Sequence, residues 1–158
     1  MGLEIERKFL VRGDSWRKAV TRALPMKQGY LTGEGGKASV RVRLEGESAR
    51  FNIKAAVVGP SRAEYDWEVP SADAREILDT LCAGVLDKVR HNVEHQGLLW
   101  EIDVFAGANA GLVVAEVELE RADQPFARPD WLGDEVTGDR RYYNHHLALH
   151  PYSTWPKR

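Results

Sequence analysis

The sequence lacks features on which several classes of protein depend. Cys82 is the only cysteine among 158 residues, which excludes an intramolecular disulfide and a cysteine-based zinc site. No apolar run approaches the roughly 20 residues that a membrane helix needs. The first residues do not show the basic start and following apolar stretch of a signal peptide, so we expect none. We therefore expect a cytoplasmic protein that has no membrane partner.

Neither sign of charge dominates the chain. The 22 Lys and Arg residues and the 24 Asp and Glu residues leave a net charge of −2. Proteins that bind nucleic acids or membrane surfaces usually carry one sign in excess, so the balance predicts no nucleic-acid partner. The length predicts a single domain, 1–158, with a sizeable core. The arrangement of the charges is therefore more informative than their sum.

Charged residues recur at every second position in one segment after another. Glu4, Glu6 and Lys8 are spaced by two, so their side chains project from one face of an extended chain. Leu3 and Phe9 lie on the opposite face, together with Arg7 as a polar exception. This alternation and the turn residues between the segments predict eight strands. They are 2–11, 27–32, 40–44, 50–54, 62–69, 85–94, 98–105 and 112–120.

Apolar residues at helical spacing predict three helices. The first follows Asp14 and ends before Pro25, and its apolar stripe is Trp16, Ala19, Val20, Ala23 and Leu24. The second starts after Pro70 and ends at Gly84. The third covers 139–149 in an otherwise irregular tail.

Eight strands with short connections predict a mainly β (α+β) fold built on an antiparallel sheet. Eight is also a number at which a sheet closes into a small barrel with room for one small ligand. The helices need apolar faces to pack against, which places them outside and the charged faces inside. An open sheet with a solvated charged face is the alternative.

A charged interior of this kind suits a ligand of mixed character. The acids predicted to face inward are Glu4, Glu6, Glu64, Asp66, Glu101, Asp103, Glu116 and Glu118. The bases predicted there are Lys8, Arg41, Arg43, Lys54, Lys88 and Arg90. Clustered carboxylates suit a hard divalent cation such as Mg²⁺ or Mn²⁺, and converging Lys and Arg suit phosphate oxygens. A complex of metal and polyphosphate would satisfy both sets.

The segment 4–8, Glu-Ile-Glu-Arg-Lys, resembles the ExExK signature of the CYTH domain, the triphosphate tunnel metalloenzyme superfamily. Further segments match in order over almost the whole chain, and the tail resembles that of the short bacterial inorganic triphosphatase-like members. The matching segments are 28–31, 41–43, 54, 62–66, 88–90, 101–105, 116–118 and 135–142. The resemblance implies an eight-stranded antiparallel tunnel, with a C-terminal plug helix, that binds a triphosphate and Mg²⁺ or Mn²⁺.

The resemblance also implies roles for individual residues. The implied metal ligands are Glu4, Glu6, Glu116 and Glu118, with Glu64, Asp66 and Asp103 as a second site or as the group that orients water. The implied substrate-binding residues are Lys8, Arg41, Arg43, Lys54, Lys88 and Arg90. The implied catalytic residues are Lys8 and Tyr30, where Lys8 is either a general base or only a phosphate ligand. Asp66 stands where the family usually has Glu, so its reach toward a metal differs.

The activity expected first is hydrolysis of inorganic triphosphate to pyrophosphate and phosphate, because the sequence adds no segment for a base or thiazole pocket. The alternatives are a thiamine or nucleoside triphosphatase, a class IV-type adenylate cyclase and a non-catalytic polyphosphate-binding module. Fold alone does not choose between them. The partner is a small-molecule triphosphate, and the protein is a monomer or homodimer.

The histidines give a weaker signal. His91 and His95 are four residues apart, and no third metal ligand accompanies them in the sequence. Together with His145, His146 and His150 they are interpreted as surface or edge residues.

Overall fold

The computed structural model describes residues 2–156. Within that range the chain forms nine strands and two α-helices. The strands are β1 (Gly2–Val11), β2 (Val20–Tyr30), β3 (Ala38–Glu45), β4 (Ser48–Ala55), β5 (Ser61–Val69), β6 (Gly84–His95), β7 (Leu98–Phe105), β8 (Val113–Glu118) and β9 (Leu132–Glu135). The helices are α1 (Ser71–Thr80) and α2 (Asn144–Leu149). Neither helix combines the length and apolar character needed to cross a bilayer.

Eight of the strands described in residues 2–156 close into an antiparallel barrel, which confirms the predicted fold. Their order is β5-β4-β3-β2-β6-β7-β8-β1. The ring closes where the first half of β1 pairs with β5, from Gly2↔Glu64 to Ile5↔Ser61. The second half of β1 pairs with β8, starting at Glu6↔Glu118. The strand that carries the ExExK segment is therefore the strand that closes the barrel.

Apolar side chains face outward from the barrel, where other elements cover them. Helix α1 packs Leu78 against β3 near Val42, and helix α2 packs Leu147 against Leu86 of β6. A third cluster lies under the segment that follows β8, with Phe9 among its members. Because side chains alternate along a strand, this outer packing leaves the charged positions in the lumen.

The first predicted helix is wrong. Ser15–Ala19 is a short 3₁₀ helix, and Val20–Tyr30 is a strand that pairs with β6. Pro25 is tolerated because β3 pairs with β2 only from Met26 onward. The carbonyl of Pro25 accepts a hydrogen bond from Gly46 N, so its missing N–H lies on the β3 side, where the ladder has not yet begun. Pairing with β6 thus overrides the helical spacing.

Strand β9 was not predicted. It pairs with the second half of β1 through Phe9↔Glu135 and Val11↔Leu132. Arg7, the polar residue on the apolar face of β1, donates from Nη2 and Nε to Glu135 at 2.6 and 2.8 Å. The tail therefore supplies the partner that this arginine needs.

The helix predicted over 139–149 is divided in two. Arg140–Tyr142 is a 3₁₀ turn, and α2 begins after Tyr143, which is extended. Gly84 brings α2 close to β6, because a Cβ at this position would lie 2.5 Å from the carbonyl oxygen of Ala148. Helix α2 thereby lies across one mouth of the barrel, where it contributes residues to the lining of the lumen.

Candidate active site

The barrel encloses a cavity of about 190 Å³ that is lined by the alternating charged positions. The predicted site residues that line it are Glu4, Glu6, Lys8, Tyr30, Arg41, Arg43, Lys54, Glu64, Asp66, Lys88, Arg90, Glu116 and Glu118. The predicted site residue Asp103 is instead buried within the wall, with 1% of its surface exposed. Segments up to 114 residues apart in the sequence therefore meet at one site.

The acidic wall consists of Glu4 and Glu6 on β1 and of Glu116 and Glu118 on β8. Glu6 and Glu118 are direct partners across the β1–β8 ladder, and like charges in this position repel each other. Burial, together with the carboxylates of Glu116 and Glu4, raises the pKa of Glu6 to about 7. At neutral pH the wall therefore retains a proton on Glu6 in a substantial fraction of molecules.

The two acids on β8 differ in their surroundings. Burial opposes ionisation of Glu116, but Lys8 and Arg90 outweigh it and hold the pKa of Glu116 well below its ordinary value. Burial and the nearby carboxylate of Glu4 raise the pKa of Glu118. Burial also opposes ionisation of Glu4, but Lys54 outweighs it and lowers the pKa of Glu4. The acidic wall thus combines two carboxylates that are held ionised, Glu4 and Glu116, with two whose pKa values are raised, Glu6 and Glu118.

The donor chemistry of the acidic wall fits a hard divalent cation. All of its donors are carboxylate oxygens, which Mg²⁺ and Mn²⁺ prefer. Glu6 keeps a proton because it is buried and because the carboxylates of Glu116 and Glu4 lie nearby, and a bound cation would replace that proton. Lys54 Nζ lies 2.8 Å from Glu4 Oε1, and Arg62 Nη2 lies 3.2 Å from Glu6 Oε1. Lys54 and Arg62 thus neutralise part of the negative charge of the acidic wall.

The basic wall consists of Arg41 and Arg43 on β3 and of Lys88 and Arg90 on β6. Burial, with Arg41 and Arg90 nearby, lowers the pKa of Arg43 to about 10. Burial also lowers the pKa of Lys88 to about 7, although Asp103 opposes the shift. Within residues 2–156, Arg41 Nε is buried without a hydrogen-bond partner. The wall therefore contains cations that lie close to one another and one buried donor whose hydrogen bond is not satisfied.

Asp103 is the internal counter-ion of the basic wall. Its Oδ2 accepts from Lys88 Nζ at 2.7 Å and from Arg90 Nη2 at 2.9 Å, and its Oδ1 accepts from Arg90 Nε at 2.8 Å. Burial opposes its ionisation, but Arg90 and Lys88 lower the pKa of Asp103 to about 2. Both oxygens of Asp103 are engaged with the basic wall.

Glu64 and Asp66 stand beside the acidic wall on β5. Asn52 Nδ2 donates to Glu64 Oε2 at 3.0 Å and to Asp66 Oδ2 at 3.3 Å. Asp66 is exposed and also accepts a hydrogen bond from Arg50 Nε. The carboxylate of Glu64 contributes to the raised pKa of Glu118. Glu64 is therefore the better placed of the two to share a cation with the acidic wall.

Lys8 and Tyr30 both line the cavity but have different partners. Lys8 Nζ lies 3.7 Å from Glu116 Oε1 and donates to the carbonyl oxygen of Tyr142 at 3.1 Å. The ring of Tyr30 stacks on His145 of α2 with the centroids 4.6 Å apart. Lys8 is thus held at the acidic wall, whereas Tyr30 lies beneath α2.

Several residues that line the cavity were not among the predicted site residues. Arg62 follows the same period of two on β5 and could have been found from it. Asn144 accepts from Lys88 Nζ at 2.8 Å, and the ring centroid of Tyr143 lies 5.2 Å from Lys8 Nζ. These tail residues carry no periodic signal. The complete additional set of polar residues is Glu34, Ser39, Asn52, Arg62, Glu101, Arg140, Tyr143, Asn144, His145 and His146.

Comparison with known proteins identifies the family of this chain and two similar proteins. A family model described as "CYTH domain" matches residues 2–143. A protein named inorganic triphosphatase from Acetivibrio thermocellus is 43% identical over 156 residues, which cover 98% of this chain and 99% of the relative. A protein of the same name from Nitrosomonas europaea is 37% identical over 157 residues, with coverage of 92% and 97%.

Solved structures agree with the barrel. A crystal structure of an inorganic triphosphatase matches with a TM-score of 0.69 at 35% identity, over 92% of this chain and 97% of that chain. A protein from Pyrococcus horikoshii matches with a TM-score of 0.58 at 18% identity, over 76% and 81% of the two chains. The second match bears on the fold alone.

Proposed function

Because the chain belongs to the CYTH domain family, we propose that it hydrolyses inorganic triphosphate to pyrophosphate and phosphate with the help of Mg²⁺ or Mn²⁺. The observation that carries the proposal is the presence of an acidic wall and a basic wall in one closed barrel. A complex of metal and triphosphate has a part that matches each wall. The names of the two curated relatives support the same activity.

The acidic wall would hold the cation through Glu4, Glu6, Glu116 and Glu118, with Glu64 beside them. When bound, the cation supplies positive charge to the phosphate oxygens and to the leaving group. Glu6 would release the proton that its surroundings retain near neutral pH. Lys54 and Arg62, which contact the wall, would be free to shift toward phosphate oxygens.

The basic wall would bind the phosphates. Arg41 is the best placed of its members because its buried Nε is available, and a guanidinium can bind two phosphate oxygens at once. Arg90 donates hydrogen bonds from Nε and Nη2 to Asp103, so its main contribution to phosphate binding is a fixed positive charge. Lys88 is held between Asp103 and Asn144, which positions its ammonium group toward the lumen.

In the reaction, a water oxygen forms a bond to the terminal phosphorus while the bond from this phosphorus to the bridging oxygen breaks. The bridging oxygen keeps the electron pair and leaves as part of pyrophosphate. Lys8 would either accept a proton from the water or hold a phosphate oxygen. A Lys8→Met variant separates these roles, because loss of a base lowers kcat and loss of a ligand raises KM.

The test is phosphate release from tripolyphosphate, with ATP and thiamine triphosphate in parallel, in Mg²⁺, Mn²⁺ or chelator. We expect turnover of tripolyphosphate that requires the metal and exceeds turnover of the other two substrates. Formation of cyclic AMP and pyrophosphate from ATP would instead assign a cyclase. Binding of tripolyphosphate without turnover in any of the metals would leave a polyphosphate-binding module.

A further inference from the structure

A second group of potential metal ligands lies at the mouth of the barrel. Glu34 belongs to the glycine-rich loop between β2 and β3, and His146 and His150 are one helical turn apart at α2. Each of the three offers a ligand atom, and these atoms all lie within 4.8 Å of one another. The acidic wall is built from β1 and β8, so this group is composed of different residues from different elements.

Two of the three distances within the group are close to the separation of ligands around one ion. His146 Nδ1 lies 3.0 Å from Glu34 Oε2, and His150 Nε2 lies 3.3 Å from Glu34 Oε1. Ligands at about 2.0–2.1 Å from a tetrahedral zinc ion are separated by about 3.3 Å. The two imidazole rings are 4.6 Å apart between centroids and tilted by 33°. The three ligand atoms therefore lie close enough together to share one ion.

The types of ligand distinguish this group from the acidic wall. Two imidazoles and one carboxylate suit Zn²⁺ and similar transition-metal ions, whereas Mg²⁺ prefers oxygen ligands alone. The side chains of His146 and Glu34 are about one-quarter and one-third exposed, and that of His150 is 59% exposed. An ion from solution can therefore reach the group without entering the lumen.

The surroundings hold the group in place. The neighbouring His145 contacts the carbonyl oxygen of Thr32 through Nε2 at 2.6 Å and stacks on Tyr30. These contacts fix α2 against the end of β2 and the start of the loop that carries Glu34. The two sides of the group are thus already docked on each other before an ion binds, which lowers the entropy cost of binding.

We propose that Glu34, His146 and His150 form a binding site for Zn²⁺ or a similar transition-metal ion, which joins α2 to the β2–β3 loop at the mouth of the barrel. The fourth position of the ion would be open to water or to a solute anion. Bound Zn²⁺ would stabilise the folded protein, because the site spans two segments that separate on unfolding.

The test uses the whole protein in saturating Mg²⁺, which occupies oxygen-only sites. Titration calorimetry with Zn²⁺ is run on the wild type, on His150→Ala and on the matched control His95→Gln, which removes a histidine outside the group. His150 does not line the cavity, so its substitution should leave basal hydrolysis unchanged. We expect one Zn²⁺ binding event in the wild type and in His95→Gln that weakens at least about 10–100-fold in His150→Ala.

Two further readouts make the outcome decisive. Co²⁺ in place of Zn²⁺ should give the strong visible absorption of a four-coordinate ion in the wild type but not in His150→Ala. Zn²⁺ should raise the Tm of the wild type but not that of His150→Ala. If His150→Ala folds poorly by circular dichroism, Glu34→Gln replaces it and should show the same losses. Equal Zn²⁺ affinity and equal Co²⁺ spectra in the wild type and the variant would overturn the proposal.

Discussion

The acidic wall and the basic wall of the lumen are neutralised in different ways. The basic wall contains a built-in anion, because Asp103 is 1% exposed and engages Lys88 and Arg90 through both oxygens. The acidic wall is compensated by cations that also face the lumen, such as Lys54, and by a proton on Glu6. The basic wall thus has a permanent counter-ion but is fully charged only when Lys88 carries its proton, whereas the acidic wall has to release the proton of Glu6 before it binds a cation fully.

Each wall contains one group whose pKa is strongly shifted. The pKa of Glu6 is raised to about 7 and that of Lys88 is lowered to about 7, and burial is the largest cause of both shifts. Each shift means that the charged form is disfavoured in the protein without ligand. A complex of metal and triphosphate would relieve both sides together, so strong perturbation at both walls is consistent with a functional site.

The largest effect is expected from Asp103→Asn, which removes the built-in anion. Lys88 and Arg90 would then be buried without their counter-ion, and loss of one partner of a buried ion pair costs about 3–5 kcal/mol. The free energy of unfolding, measured by urea denaturation, should fall by that amount. Tripolyphosphate should restore part of the loss, because it supplies negative charge to the same wall.

The control for this variant is Asp87→Asn, which removes an exposed carboxylate next to Lys88 in the sequence. Its stability should stay within about 0.5 kcal/mol of the wild type. If Asp103→Asn were as stable as the wild type, the basic wall would not depend on an internal counter-ion, and the contrast between the walls would disappear.

The next effect is expected from Glu116→Gln, which removes the member of the acidic wall whose pKa is held furthest below its ordinary value. Loss of a group that only supports a metal ligand costs about 10–100-fold in metal affinity, so loss of this carboxylate should cost at least that much. We expect kcat at fixed Mg²⁺ to fall by about 100-fold or more, with recovery at high Mg²⁺ concentrations. Glu120→Gln, just beyond β8 and exposed, is the control and should behave as the wild type. Full activity of Glu116→Gln at low Mg²⁺ would remove Glu116 from the metal site.

A smaller effect is expected from Arg41→Ala, which leaves the counter-ion of the basic wall in place. Hydrogen bonds to charged groups contribute about 1.5–3 kcal/mol, so the KM for tripolyphosphate should rise by about 10–100-fold while kcat changes less. Steady-state kinetics measure both. Arg22→Ala removes an exposed arginine from β2 and should leave KM unchanged. An unchanged KM in Arg41→Ala would show that the available guanidinium is not used for binding.

The period of two in charge predicted most of the residues that line the barrel. Closure of the sheet was predicted from the count of eight strands and from the resemblance to the CYTH domain, since the alternation alone also fits an open sheet. A sheet buries one face of each strand, and the apolar alternate residues define that face without knowledge of the partners. The positions of Glu4, Glu6, Arg41 and Arg43 follow directly from it. The signal does not depend on which strands pair, so it survives even where the boundaries of a strand are misjudged.

The elements and site residues that were not predicted depend on tertiary contacts, which a local sequence pattern does not encode. The segment from Val20 to Leu24 has helical spacing but forms the first part of β2, because β6 offers a partner along its whole length. Asn144 and His145 reach the lumen only because α2 lies across the mouth, next to Gly84. Asp103 was placed on the inward face correctly, but its burial against Lys88 and Arg90 could not be anticipated from spacing.

The smallest effect is expected from Glu6→Gln in chelator, and its sign depends on pH. Below about pH 4.5 the carboxyl group is protonated in both the folded and the unfolded state, so the variant and the wild type should be equally stable. Between 4.5 and about 7 the unfolded chain ionises while the folded protein keeps its proton, and the wild type loses stability relative to the variant. At pH 7.5 the variant should be more stable by about 1–3 kcal/mol.

The Tm measured against pH checks this prediction, at about 2–4 °C for each kcal/mol. The difference between the variant and the wild type should grow from pH 4.5 to 7 and then level off. Saturating Mg²⁺ at pH 7.5 should reverse the order, because the wild type gains a full set of carboxylate ligands and the variant does not. Glu94→Gln, an exposed substitution on β6, should show neither effect. A difference that stays constant with pH would mean that Glu6 ionises normally, and the acidic wall would then bind a cation without first releasing a proton.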